Sequence, residues 1–464
     1  MTPAPRIAAV SPTRPGKRSA RTDRKVLLTQ LAMTAGALLT LVGLTQLVLR
    51  EFADLAPLLG ILPPGALALW WLTGKLATPD DRAFLLRVML AGLLLRLGLA
   101  LVVHYNLPVW FFAPDQETYQ DVGWRTLLYH RGQGPMPWQI QNTTELGYFY
   151  WNALLYLIFG YAPLAPKLVN VIAGTASALF AYRLAGELAG RDSARLAGML
   201  TMFFPSLVLW STLNLRDPFV LLLTLGLFLN VARLRTRPSG AAFFGVILFL
   251  ALLVLFRDYV AAMAAFGLMG AALITKSRGM VVNLLLAASL FGLAIFAYQQ
   301  FGLGTRWVES ASFEALSQQR QFMAEGGTAF RPEADISSPL LGLRYLPLGL
   351  AFFLFSPFPW QVGSLLSTIT LPEQLVWYAL IPMVVSGGAY LVRHRYHVIG
   401  PILVFLALTV GLYALVEGNA GTAYRHRAQV LVFFLIAAAV GITLRSMRKN
   451  ATAGRPRGLM EGHG

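Results

Sequence analysis

Three carboxylates, Asp115, Glu117 and Asp121, fall within seven residues of one polar stretch that also holds Tyr119. The whole chain has only 21 Asp and Glu, so this is a local concentration. Carboxylates beside a low-dielectric surface have raised pKa values and can act as general bases or bind a divalent cation. The plainer reading is a solvated acidic turn, with Asp115 capping a helix that starts near Glu117. Three further corners combine charge with a bend. The first runs from Ser211 to Pro218 and ends in Leu215-Arg216-Asp217-Pro218. Helix capping accounts for Asp217 and Pro218 but not for Arg216. An Arg–Asp pair at such a place can hold a carboxylate or a phosphate. The second is Arg257-Asp258-Tyr259, squeezed between two apolar runs. A charged pair there is costly without a partner, and an internal salt bridge satisfies it as well as a ligand would. The third runs from Glu417 through a Gly-rich bend to Arg425 and Arg427. Arginines beside exposed backbone amides bind phosphate oxygens, and a snorkelling interfacial pair is the alternative.

These corners hang on apolar runs. The chain of 464 residues is 56% hydrophobic and 13% charged, against about 25% charged in soluble domains. Runs of roughly 20 apolar residues span a bilayer as helices. They stand near 26–49, 55–76, 84–104, 167–187, 193–213, 217–233, 240–257, 259–275, 280–298, 373–392, 397–416 and 426–445. The expected fold is therefore all-α, a polytopic membrane bundle of about 12 spanning helices. Two shorter aromatic, proline-bearing segments, 148–163 and 345–360, read as interfacial helices on the outer face. Two extra crossings there remain the alternative. The first run is too long for a signal-peptide core and reads as an uncleaved helix.

The net charge of +17 comes from short basic clusters between apolar runs, which is how membrane orientation is encoded. It gives no reason to invoke nucleic acid. Most Lys and Arg fall in connections that alternate parity assigns to the cytoplasm, with both termini on that side. The four charged corners then all lie on the outer face, as parts of one site. The organisation expected is a basic tail (1–25), two N-terminal spans (26–83), a core with the acidic outer loop 105–166 (84–298), an outer loop with an interfacial helix (299–371), C-terminal spans (372–445) and a tail (446–464). Arg96 sits inside a span, where it costs about 2.5–3.5 kcal/mol on the translocon scale and needs a partner. With no cysteine, disulfides and thiolate metal sites are excluded. No glycine-rich nucleotide loop follows a strand.

Four stretches resemble GT-C type membrane glycosyltransferases, the broad group with protein O-mannosyltransferases and lipid A aminoarabinose transferases. Pro114-Asp115-Gln116-Glu117-Thr118-Tyr119 is similar to the acidic signature of their first large outer loop. The run 164–197 resembles a helix pair joined by a basic cytoplasmic turn, and 205–218 ends in an acidic helix start matched by Asp217. Ser356–Trp360 and Gly418–Arg427 resemble stretches of bacterial members. The resemblance covers about 84–445. It departs in having two spans before the acidic loop, no soluble C-terminal domain, and Gln116 between the acids.

The resemblance implies an inverting transferase in a bacterial plasma membrane. It would use a polyprenyl-phosphate-linked sugar donor, a lipid, glycan or protein acceptor, and a lipid environment. Asp115 would be the base. Arg257, Arg425 and Arg427 would stabilise the leaving phosphate. Glu117 and Asp217 would position the acceptor or help hold a divalent cation. Tyr119, Asp121, Arg216 and Asp258 complete the substrate-binding set. An O-antigen-type polymerase or ligase would instead be marked by a dominant arginine-bearing late loop. A lipid or solute transporter would show paired halves with matching broken helices.

Overall fold

The computed structural model describes residues 19–50, 54–141, 143, 146–274, 312–324, 328–361 and 365–453. The regular structure among the described residues is helical, apart from one isolated bridge between Ala329 and Asn419. Helices α1 (Ser19–Arg50), α2 (Leu55–Leu76) and α3 (Arg82–Asn106) lead to an outlying pair, α4 (Asp115–His130) and α6 (Gly147–Phe159), with the single turn α5 (Trp138–Gln141) between them. Next come α7 (Leu164–Ala189), α8 (Arg191–Phe203), α9 (Pro205–Trp210), α10 (Asp217–Thr236), α11 (Gly240–Phe256) and α12 (Asp258–Ile274). After α13 (Phe313–Met323) and α14 (Pro339–Phe355), the chain closes with α15 (Leu365–Val416) and α16 (Ala420–Ala453).

Among the described residues, seven helices are long and apolar enough to cross a membrane: α1, α2, α3, α7, α10, α15 and α16. The protein is an integral membrane protein, and the expected count of about twelve is not reached by this criterion. The differences have local causes. The expected span 193–213 is split because Pro205 lacks an N–H and cannot continue α8. The expected spans 373–392 and 397–416 are two helices that meet at a kink, with non-helical backbone at Arg395 between them, and they count once among the seven. The runs 240–257 and 259–275 form helices of 17 residues each. The span expected at 280–298 lies outside the described residues. Helix α6 has 13 residues, a rise of about 20 Å against a hydrocarbon core of about 30 Å.

Burial decides the layers. Helices α7 and α10 are buried nearly all round, as expected of helices apolar on every side at a bundle centre, while α1 and α2 are mostly exposed. Helix α7 packs on α8 and α10, α1 packs on α3, and α16 packs on α15 and α8. Small residues on α7 allow these approaches: a Cβ on Gly174 would run into the Ser211 side chain.

The break before Pro205 explains Arg96. Once the helix stops, Ser206 N–H no longer serves the Met202 carbonyl and donates instead to Glu373 (2.6 Å). Arg96 takes up that carbonyl at 2.9 Å and holds Ser211 Oγ at 2.9 Å. Its partners are protein groups that brace the loop after α9. At the N-terminal end of α3, Asp81 joins Arg191 and Arg195.

Candidate functional site

Each charged corner is delivered by a helix terminus. Helix α4 starts at Asp115 itself, directly after Pro114 and two residues before the expected start. Acidic residues suit the positive end of a helix. The buried face of α4 is Gln116, Tyr119, Gln120 and Gly123, which leaves Asp115 at its edge with its side chain half-exposed.

Asp217 opens α10, with Pro218 in the first turn. The loop before it, 211–216, is held by buried amides. Asn170 Nδ2 donates to the carbonyls of Leu213 (2.6 Å) and Leu215 (2.8 Å) and to Tyr148 Oη (2.9 Å). Tyr148 donates to Asn214 Oδ1 at 2.8 Å, and Asn214 donates to Asn152 at 2.9 Å. The Asn214 N–H donates to Gln116 Oε1 at 3.1 Å, tying this loop to the start of α4. Replacing Asn170 with Leu removes three of these bonds; Tyr148 keeps Asn214 and the Leu213 carbonyl keeps the Leu215 N–H, but the buried Leu215 carbonyl loses its donor, at about 1–3 kcal/mol. Asn170→Leu should therefore lower the unfolding temperature. A variant as stable as the parent would show that the loop is held by other contacts.

Consecutive residues of α16 radiate in different directions, because each step turns the helix by about 100°. Arg425 Nε and Nη2 donate to Asp217 Oδ2 at 3.0 and 2.9 Å, and Nη1 donates to Asp115 Oδ2 at 2.6 Å. One turn on, Gln429 Nε2 donates to Asp217 Oδ1 at 2.7 Å. Arg257, at the α11–α12 corner, donates through Nη1 to the same oxygen at 2.8 Å. Its Nη2 meets His426 Nε2 at 3.1 Å, and His426 Nδ1 pairs with Glu417. A continuous array thus runs Asp115–Arg425–Asp217–Arg257–His426–Glu417. Burial pushes the Asp115 carboxyl up, but the Arg425 charge and hydrogen bond outweigh it and hold Asp115 below the usual carboxylate range. Asp115 is therefore ionised at neutral pH.

Asp115 also faces a cavity of about 250 Å³ lined by Tyr119, Phe149, Trp138, Gln139 and Arg216 among others. The size is near the lower end for ligand sites, roughly 300 Å³. Tyr119 is buried edge-on against Tyr148, with ring centroids 4.8 Å apart.

The structure therefore gathers Asp115, Tyr119, Asp217, Arg216, Arg257 and Arg425. The other expected site residues stand elsewhere. Glu117 is exposed on α4. Asp121 pairs with Arg125 at 2.8 Å on the solvated face of the same helix. Asp258 begins α12, outside the array. Arg427 is buried and donates to the carbonyls of Leu354 (2.8 Å) and Ser356 (3.0 Å) and to Gln374 (2.9 Å), bracing α14 instead of facing the cavity. The sequence gives no role to His426 or Gln429, and names Glu417 only as the start of its corner. The spacing of four between Arg425 and Gln429 is the signal that could have found the latter.

The residues do not fit a divalent cation at Asp217. Its two oxygens already accept hydrogen bonds from two guanidinium groups and an amide. Among the described residues, no group of three or more His, Asp or Glu is placed to hold a metal ion.

No curated protein matches the chain. A family match does exist, and it begins just before α6. It takes in Tyr148, Asn170, Asp217 and Arg257 and leaves Asp115 and Arg425 outside. Residues 145–299 match the model of the dolichyl-phosphate-mannose-protein mannosyltransferase family, a GT-C family domain.

Proposed function

We propose that the protein transfers a sugar from a polyprenyl-phosphate-linked donor to an acceptor hydroxyl on the outer face of a bacterial plasma membrane, with Asp115 as the base. The observation that carries this reading is the Asp115 carboxylate at a cavity of about 250 Å³, in contact with an arginine it shares with Asp217. In the reaction, the acceptor oxygen attacks the anomeric carbon and gives its proton to Asp115. The bond from that carbon to the phosphate oxygen breaks with inversion, and the phosphate leaves with the bonding pair. Arg216, which lines the cavity, and Arg425 face the charge that develops. As Arg425 is drawn toward the phosphate, Asp115 is released from its strongest partner and becomes more basic.

Arg257 is buried and committed to Asp217 and His426. Its part is to hold the array, as Arg427 holds α14. Helix α6 contributes Phe149 to the cavity and exposes Leu154, Leu157 and Ile158. That apolar stripe supports an approach from the lipid for a polyprenyl chain.

Purified protein in lipid nanodiscs, supplied with polyprenyl-phosphate sugars and candidate acceptors, should release polyprenyl phosphate as sugar is transferred. Turnover confined to polyprenyl-pyrophosphate oligosaccharides would favour the polymerase. Because Asp115 must be ionised to act and Arg425 keeps it so, activity should persist as pH falls. The acid limb of kcat/KM should lie below the ordinary aspartate range, about pH 3.9. A limb above pH 6 assigned to Asp115 would contradict the ion pair.

The orientation can be read directly, since the chain has no cysteine. A membrane-impermeant thiol reagent added outside the cell should label a cysteine placed at Gln133 and not one at Ser239. The opposite pattern would put the site on the cytoplasmic face.

A further inference from the structure

His426 directly follows Arg425 in sequence yet touches neither carboxylate that Arg425 holds. Both ring nitrogens are committed. Nε2 is 3.1 Å from Arg257 Nη2, and Nδ1 pairs with the Glu417 carboxylate. A guanidinium nitrogen can only donate, so Nε2 must offer its lone pair. The ring is then neutral with its proton on Nδ1, donated to Glu417. This assignment follows from the chemistry of the partners. The ring is also fixed in plane, stacked on Tyr413 with centroids 5.0 Å apart at 17°. Tyr413 is held in turn by Gln429 at 2.9 Å and Tyr259 at 2.8 Å.

Glu417 is fixed as firmly. Its Oε2 accepts from Thr422 at 2.6 Å. Its carbonyl accepts from Arg320, a buried residue of α13 whose other nitrogen donates to the Phe330 carbonyl at 3.2 Å. Phe330 N–H donates to the Gly418 carbonyl at 2.8 Å, and Ala420 N–H donates to Thr328 at 2.9 Å. The bend that carries Glu417 is thereby clamped by the segment after α13. A carboxylate anchored by its backbone orients an imidazole, which offers one lone pair to an arginine that in turn bonds Asp217.

We propose that His426 is a positioning residue for glycosyl transfer: as the Nδ1–H tautomer set by Glu417, it accepts from Arg257 and so fixes the Arg257–Asp217–Arg425 array behind Asp115. The proposal rests on the transferase reading above. His426 does not touch substrate; it acts through Arg257.

Two substitutions separate this role from simple packing. In His426→Gln the terminal carbonyl reaches the place of Nε2 and can still accept from Arg257. In His426→Asn the amide reaches the place of Nδ1, keeps Glu417 and abandons Arg257. Loss of one hydrogen bond to a charged group corresponds to about 10–100-fold. His426→Asn should lower kcat by that factor with donor KM little changed, and His426→Gln should recover most of it. Equal losses in both, following the unfolding temperature, would overturn the proposal. So would full activity in His426→Asn.

Two further measurements keep the proposal open to refutation if these variants do not fold. Glu417→Gln keeps an acceptor for Nδ1 and should retain activity that Glu417→Leu loses; the reverse order would overturn it. Independently of turnover, the nitrogen-15 spectrum of histidine-labelled protein should contain a neutral Nδ1–H imidazole that disappears in His426→Gln. A neutral Nε2–H form or an imidazolium at that position would overturn the assignment. Asp115→Asn in the same assay reports on the transferase reading separately. If it stays active, the assignment of Asp115 as the base falls while the tautomer result stands.

Discussion

Asp115→Asn should lower sugar transfer by at least about 100-fold, the lower end of what general-base catalysis contributes, while the protein unfolds at nearly its normal temperature. The substitution keeps the side chain's shape and removes its basicity. Its structural cost is small because Asp115 is half-exposed and has one ionic partner. Arg425 keeps both hydrogen bonds to Asp217 when that partner is lost. Asp115 is the exposed member of the pair and Arg425 the buried one. Asp121→Asn is the control, since it disturbs only the surface pair with Arg125 and should change transfer by less than about twofold. The measurement is transfer from a purified polyprenyl-phosphate donor, with expression matched between variants. Near-full activity in Asp115→Asn alongside complete loss in Asp217→Asn would mean that the base sits on α10.

Asp217→Ala should behave differently, losing stability and activity together. Asp217 is buried and neutralises two buried arginines, Arg257 and Arg425. Removing one partner of a buried ion pair leaves an uncompensated charge and costs about 3–5 kcal/mol. Typical stabilities are only about 5–15 kcal/mol, so the yield of folded protein should drop sharply. Asp217→Asn keeps acceptor capacity on one atom and should fall between Ala and wild type. Thermal unfolding in detergent, followed by activity per folded molecule, separates the two effects. If Asp217→Ala unfolds at the wild-type temperature, the array is not what holds α10, α16 and the α11–α12 corner together. The contrast between the two aspartates is the sharpest consequence of the geometry, because residues of the same type are given separate tasks by their burial.

The membrane architecture was legible in the sequence. In lipid every backbone polar group must be satisfied internally, so apolar runs of about 20 residues have few structural options other than the helix. Helices α1, α2, α3, α7, α10 and α16 stand where such runs predict them. Segmentation was less legible where local backbone chemistry intervened. Pro205 cut one expected span, whereas the kink at Arg395 falls between two expected spans, where the sequence placed a break.

At the site, the sequence by itself determined the chemical inventory: acids and arginines at helix ends, where chain exits from an apolar bundle must put their charge. That much led to Asp115, Asp217, Arg216, Arg257 and Arg425. Tertiary structure alone decided the pairings. Asp115 and Arg425 meet across 310 residues of chain, and no local pattern encodes a contact at that separation. Arg427, two positions after Arg425, is turned about 200° away on the same helix and braces Ser356 instead. Glu117 and Asp121 share a helix with Asp115 but remain on its outer face, for the same reason of rotation. His426 became visible only once α16 packed against the α11–α12 corner and the Glu417 bend. The rotation of each helix about its axis is set by what it packs against, and that rotation determines which charged side chains reach the site.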